Sequence, residues 1–526
     1  MAGCAVVVTC WGGVLRAQSG GTLDQRIQKM MARPEFAHSR FGIEFIEAGT
    51  GEVIYELNAQ ELFVPGSTTK LLTAGTARAF LGDDFRFHTR VYRTGPIGRD
   101  GTLEGDLVLV ASGDLNLSNR VQPDDTLAFE NEDHSYGGPD SKGLPGDPLQ
   151  VIRELAKQVA AKGIRRVTGR VLVDATLFPE GEPELGTGVV ISPIVVNDNV
   201  IDVVVGPGGA EGSPVQVRIA PQTAYVTILN RATTGKAGSA ASLKYRNQRL
   251  NADGSRIVAL TGSLPLGAKP RLAPYPVPEP SRFATTVMVE ALREQGIAST
   301  LVPPGDSIAY AALAANYTPD KVVGEHVSPP FKEDVKVTLK VSQNLHASTM
   351  PFLLGALVAH KHEEVDQAGF DLENGLLTKA GLDLHGMAQG DGAGGDAFYT
   401  PDFMVHYLLF LSRQKDFPEF YRALPVLGRD GTLFRLQVNS PAAGHVHAKT
   451  GTDDRYDAVN RRTLLAGKGL AGYMDTASGQ HLIFALYLNM FSVPLDDPEE
   501  SAGQVLGEIA AAAYDAPLPP RANVSK

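Results

Sequence analysis

From Phe85 to Glu279 the sequence runs through short β-type segments, FRFHTRVY, DLVLVA, RVLVDATLF, VIDVVV, VQVRIA, AYVTIL and RIVALTG, each bounded by Gly, Pro, Asp or Asn. One helix, expected over Pro148 to Lys162, interrupts them. The pattern differs on both sides of this block. Before it, FGIEFIEAGTGEVIY alternates apolar and polar residues around a Gly49-Thr50-Gly51 turn, and STTKLLTAGTARAFLG opens a helix after Pro65-Gly66 that stops at Gly82. After it, amphipathic helices are expected around Arg282 to Gln295, Val335 to His360 and Asp402 to Arg413, then strands such as HLIFALYLNM and an Ala-rich helix near Ala502 to Tyr514. Helices and paired strands enclosing a β-rich block imply an α+β fold, with one domain interrupted by a large insertion of one or two domains. At 526 residues the chain is in any case too long for a single core.

The expected division is a leader over residues 1–19, a first part of the interrupted domain over 20–92, the insertion over 93–279 with a smaller unit nested at about 203–260, and a second part over 280–526. Within the insertion, NEDHSYGGPDSKGLPGDP (Asn131 to Pro148) lacks periodicity and reads as a long mobile loop without a functional part. The apolar run AGCAVVVTCWGGVL, followed by Arg16 and small residues, is too short to span a bilayer and reads as a secretory signal cleaved near Ser19. Both cysteines, Cys4 and Cys10, fall in this leader, so the mature chain carries no thiol and thiol catalysis is excluded. A formal charge of -11 argues against a nucleic-acid partner.

Three short segments carry chemistry. Ser67-Thr68-Thr69-Lys70 puts a hydroxyl and an amine one helical turn apart, where the amine can take the serine proton if burial keeps it neutral. Ser342-Gln343-Asn344 supplies a second hydroxyl and an amide, suited to shuttling a proton to a leaving amine and holding a substrate backbone. Lys449-Thr450-Gly451-Thr452 places a cation and hydroxyls on a strand whose glycine admits an extended peptide, with Lys and Thr able to hold a carboxylate. Strict alternation would point Lys449 and Thr450 to opposite faces. A second Ser-x-x-Lys, Ser412 to Lys415, has no Pro-Gly entry turn and reads as a solvated helix end.

Ser-x-x-Lys, Ser-x-Asn and Lys-Thr-Gly in this order form the signature of penicillin-binding proteins and class A β-lactamases. The surrounding segments are closer still. FVPGSTTKLLTAGTARAFLGDDFRFHT, GDLVLVASGDLNL, VTGRVLVDATLF, VSQNLHASTM, LPVLGRDGTL, AKTGT, LAGYM and LIFALYLNM resemble the D-alanyl-D-alanine carboxypeptidase/endopeptidase family, the class C low-molecular-mass penicillin-binding proteins, over residues 24 to 515. That resemblance implies a penicillin-binding, β-lactamase-like transpeptidase domain, an antiparallel sheet flanked by helices. It implies Ser67 as nucleophile, Lys70 as base, Ser342, Asn344 and Lys449 as their catalytic partners, and Thr450, Gly451 and Thr452 as substrate-binding strand. The backbone N–H groups of Ser67 and Thr452 would form the oxyanion hole. The implied ligands are peptidoglycan stem peptides ending in D-Ala-D-Ala, with β-lactams as covalent inhibitors, and the implied place of work is the periplasm or another extracytoplasmic space. Two departures stand out: Asp391-Gly392-Ala393-Gly394-Gly395 has Ala where the family has Ser, and DDRYDAVNRRTLLAGKG lengthens the chain after Thr452.

Alternatives of other kinds are a serine β-lactamase or esterase of the same fold, and a non-catalytic wall-binding scaffold. No cofactor or metal is implied. His360-Lys361-His362-Glu363-Glu364 has spacing that parts its histidines, and His445-Val446-His447 reads as strand residues beside the site.

Overall fold

The computed structural model describes residues 21–303, 305, 308–495 and 500–517, so the leader with Cys4 and Cys10 lies outside the described residues. Its central feature is a five-stranded antiparallel sheet in the order Val53–Leu57, Arg40–Glu47, His481–Pro494, Arg462–Asp475, Val446–Asp457. The first two strands are the expected hairpin. They meet the last three only after the whole chain between them has been laid down.

The middle strand shows why its sequence is a continuous apolar run: both faces are covered. Ile483, Ala485 and Tyr487 belong to a core shared with the Lys70–Leu81, Phe331–Lys340, Asn344–Leu357 and Pro401–Ser412 helices. Leu482, Phe484, Leu486 and Leu488 pack on the opposite side against the Leu23–Met31 and Glu500–Asp515 helices. Alternation along one strand thus feeds two cores.

A separate core lies in the intervening chain. The sheet Val322–Val327, His88–Arg93, Leu107–Val110, Val171–Asp174 packs with helices Gln150–Ala161 and Pro280–Glu294. Val226–Asn230, Arg256–Thr261 and Lys244–Leu250 make a small sheet of their own. The Pro280–Glu294 helix buries Phe283, Val287, Met288 and Leu292 in this core, and Val322–Val327 pairs with His88–Arg93. This core therefore draws on residues to either side of the 93–279 block, among them Val91 and Val323. Amphipathic helices of both regions look alike in the sequence, and periodicity does not say which core a stripe faces.

The helix expected over Val335 to His360 is two helices, Phe331–Lys340 and Asn344–Leu357. The break is Ser342, at φ +61 in the left-handed region. Such a backbone costs a non-glycine residue roughly 1–3 kcal/mol and persists only where neighbours hold it. It places Ser342 and Asn344 at a junction that faces the edge of the central sheet.

Candidate active site

The Ser67 turn is held tightly. Gly66–Thr69 forms a single 3-10 turn ahead of the Lys70–Leu81 helix, entered through Gly66 at φ +52. Thr68 Oγ1 donates to Pro65 O at 3.1 Å and Thr69 Oγ1 to Gly66 O at 3.0 Å. In a 3-10 turn residues i and i+3 eclipse, and Lys70 Nζ lies 2.9 Å from Ser67 Oγ. Lys70 is fully buried, whereas Ser67 is partly exposed.

Around Lys70 Nζ stand Ser342 O at 2.6 Å, Ser342 Oγ at 3.1 Å and Asn344 Oδ1, all acceptors from the helix junction. Lys449 Nζ donates to the same Ser342 Oγ at 2.8 Å and to Thr450 O at 2.8 Å. Ser342 thus bridges two buried lysines. Burial pushes Lys70 down to about 7, against the opposing pull of Glu184, Asp391 and Asp133. Lys449 is driven well below the usual lysine value by burial first, then by the charges of Lys70 and Lys468.

Lys449 to Thr452 lie on Val446–Asp457, the edge strand of the sheet. Its N-terminal end is covered on the outer side, where Leu427 N donates to Val446 O at 2.9 Å and Ala448 N to Pro425 O at 3.0 Å. The two-residue period turns the N–H groups of Thr450 and Thr452 toward that same outer side, past the end of the cover. The Ser67 turn abuts there: a Cβ on Gly451 would lie 2.0 Å from Pro65 O, and one on Gly66 would lie 2.5 Å from Thr452 N. Glycine at both places lets the backbones of Ser67 and Thr452 approach. Lys449 and Thr450 do point apart, Lys449 inward to Ser342 and Thr450 Oγ1 to Thr432 Oγ1 at 2.8 Å. The irregularity in the strand comes later, at Asp453–Asp454.

All eight candidate positions from the three motifs thus lie where the Ser67 turn, the Ser342 junction and the edge strand meet. The second Ser-x-x-Lys is elsewhere: Ser412 Oγ bonds back to Leu409 O at the end of its helix. His360 to Glu364 are exposed, and His447 stacks on Tyr421 with ring centroids 4.1 Å apart.

The sequence overlooks the loop that begins at Asn131. Instead of a bland mobile segment, Asp133, His134 and Ser135 are buried and Tyr136 reaches the site. Its hydroxyl donates to Ser342 O and lies 2.9 Å from Asn344 Oδ1. Behind it, Asp133 and Asp198 bind Arg120, and His134 bridges Asp198 at 2.7 Å and Asp202 at 2.8 Å. Gln343 Nε2 donates to Asp133 Oδ1 at 2.9 Å and His346 Nε2 meets Asp198 Oδ1 at 3.0 Å. Asp133, His134 and Asp198 have ligand-like spacing, but their carboxylates already receive the Arg120 guanidinium, which fits an ion-pair network. The available signal was a cluster of Asp, His, Ser and Tyr in an otherwise Gly- and Pro-rich loop.

At the two departures, Asp391 accepts backbone N–H groups from Ala393 at 2.9 Å and Gly395 at 2.8 Å, and a Cβ on Gly394 would sit 2.1 Å from Gly66 O, so this loop buttresses the Ser67 turn. The extra residues after Thr452 prolong the edge strand to Asp457, beyond which a turn leads into Arg462–Asp475; Tyr456 and Val459 are exposed near its tip.

The sequence matches the D-Ala-D-Ala carboxypeptidase 3 (S13) family over residues 23–508. The chain belongs to this family. Among its relatives, a D-alanyl-D-alanine carboxypeptidase of Actinomadura sp. (strain R39) is 28% identical over 494 residues, 90% of this chain and 82% of that protein. The D-alanyl-D-alanine carboxypeptidase DacB of Haemophilus influenzae is 22% identical over 454 residues, 84% of this chain and 83% of its own. The fold is that of the crystal structure of penicillin binding protein 4 (dacB) from Haemophilus influenzae, with TM-score 0.68 at 20% identity, covering 92% of this chain and 98% of that one. A structure of the latter protein complexed with a β-lactam superposes with TM-score 0.67 at 19% identity, covering 93% of this chain and 99% of that one.

Proposed function

We infer that this S13 protein is a penicillin-sensitive serine D-Ala-D-Ala carboxypeptidase in which Ser67 forms the acyl-enzyme. The observation that carries the assignment of residues is the contact of Lys70 Nζ with Ser67 Oγ inside a buried cluster that also holds Lys449. Neutral Lys70 takes the hydroxyl proton as Ser67 Oγ attacks the scissile carbonyl carbon. The developing oxyanion is received by the backbone N–H groups of Ser67 and Thr452, whose chains are in contact. Ser342, between the two lysines, relays the proton to the leaving D-alanine nitrogen. Water then attacks the acyl-enzyme and releases the shortened peptide.

Substrate enters as an extra strand along the edge near Thr450 and Thr452, with Asn344 on its other side. A stem peptide ending in D-Ala-D-Ala has a carboxylate one residue beyond the scissile bond, and a cross-link to the D-centre of a diaminopimelate residue presents one there too. The same strand therefore serves carboxypeptidase and endopeptidase reactions. Since Lys449 is pushed toward its neutral form, an arriving carboxylate supplies the missing counter-charge and draws a proton onto it. The wall substrate and the apolar leader support work outside the cytoplasm. Family membership and the assembled cluster favour this reading over a β-lactamase or an inert scaffold.

The test is D-alanine release from a pentapeptide ending in D-Ala-D-Ala. Lys449→Met is expected to slow release and penicillin acylation together by about 10- to 150-fold, the worth of one charge-assisted contact of roughly 1.5–3 kcal/mol. Amidating the terminal carboxylate should harm the wild type much more than the variant. No D-alanine release by the wild type would refute the activity, and equal sensitivity to amidation would refute carboxylate reading by Lys449.

A further inference from the structure

We propose that Tyr136 is a positioning residue for acylation, its hydroxyl engaging the two oxygens, Ser342 O and Asn344 Oδ1, into which Lys70 also donates. The inference rests on the reading of Lys70 as base. Its starting point is that one loop grips the whole Ser-x-Asn segment. Tyr136 holds the carbonyl of Ser342 and the amide oxygen of Asn344, while Asp133 of the same loop holds the side chain of Gln343. His134 and His346, one from the loop and one from the following helix, share Asp198. The left-handed Ser342 is thus kept in place from the insertion side.

The consequence for Lys70 follows from counting hydrogens. A neutral amine has two hydrogens and one lone pair, and the lone pair must face Ser67 for the amine to act as base. An ammonium gains most from Ser342 O and Asn344 Oδ1, the oxygens at 2.6 Å and closer. The phenol hydroxyl has a single hydrogen, so at any moment one of these oxygens is shared between Tyr136 and Lys70. An oxygen that already accepts a hydrogen stabilises a cation less. Other charged groups that face Lys70 are Lys449 from the edge strand, Glu184 and Asp391 from two loops, and Asp133 from the Tyr136 loop itself. A Tyr136→Phe substitution leaves all of these in place and removes only the hydroxyl.

The experiment is the pH profile of Ser67 acylation by a fluorescent penicillin, from pH 5 to pH 9, for wild type and Tyr136→Phe. The variant's acid limb is expected to move up by roughly half to one pH unit, with the high-pH plateau little changed. With a wild-type midpoint near 7 this is about two- to fivefold slower acylation at pH 7. A Tyr136→Phe profile with the wild-type midpoint, whether or not its plateau is lower, would overturn the inference and leave the base reading intact. A flat wild-type profile over this range would overturn the base reading and this inference with it.

Discussion

Lys70→Arg is expected to slow acylation of Ser67 by about 10²- to 10⁴-fold, the usual worth of a positioned general base. Arg has a similar length and keeps the charge of the protonated lysine, but a guanidinium does not give up its proton in a protein. What is lost is the neutral amine. Burial, which makes Lys70 available at about 7, is the reason a lysine can serve here at all. The wild-type acylation rate should accordingly rise with pH through about 7, since the neutral fraction grows as pH passes the lowered value. Stopped-flow acylation with a fluorescent penicillin reads both effects. An Arg variant within tenfold of wild type would remove Lys70 from proton transfer.

Asp198→Ala should cost about 3–5 kcal/mol of stability in chemical denaturation, because it strands buried partners. Asp198 receives Arg120, His134 and His346, all of them buried. Burial alone would raise its carboxyl, yet Arg120 and the two histidines hold it well below the usual range. In turn burial works against His134, and Asp202 and Asp198 hold it charged, well above the ordinary value. Asp198 also stands in a left-handed run, Asn197, Asp198 and Asn199 at φ +51, +50 and +51, which Asn and Asp tolerate better than Ala. Arg153 offers a contrast, since its pairing with Glu294 is exposed; Glu294→Ala should change stability by about 0.5 kcal/mol or less. Similar losses for both variants would mean that the Asp198 network is not stabilising.

The three motifs were readable because their chemistry demands particular residue types at fixed short spacings. Ser67 and Lys70 must sit one turn apart, and Lys449 to Thr452 must lie on a strand with a glycine. The hairpin at Gly49 to Gly51 and the apolar middle strand were equally plain, since each writes its own periodicity. Tyr136 left only a weak trace, the cluster of Asp, His, Ser and Tyr in its Gly- and Pro-rich loop. Its position depends on Asp198 and Asp202, far along the chain in a segment that reads only as a strand approach, and nothing local in HSYGG records that pairing. The junction at Ser342 was hidden for a related reason: apolar periodicity runs through Val341 and Leu345, and a single left-handed residue does not interrupt it. Helix Pro280–Glu294 shows the same limit at the level of cores, for its stripe of Phe283, Val287 and Met288 is compatible with either.

The central claim is a covalent bond to Ser67. Incubating the protein with penicillin and mapping the adduct by peptide mass spectrometry tests it most directly. The account predicts one penicilloyl group per chain, on the peptide containing Ser67, and none in Ser67→Ala. An adduct on Ser342 or Ser412, or D-alanine release that persists in Ser67→Ala, would contradict it.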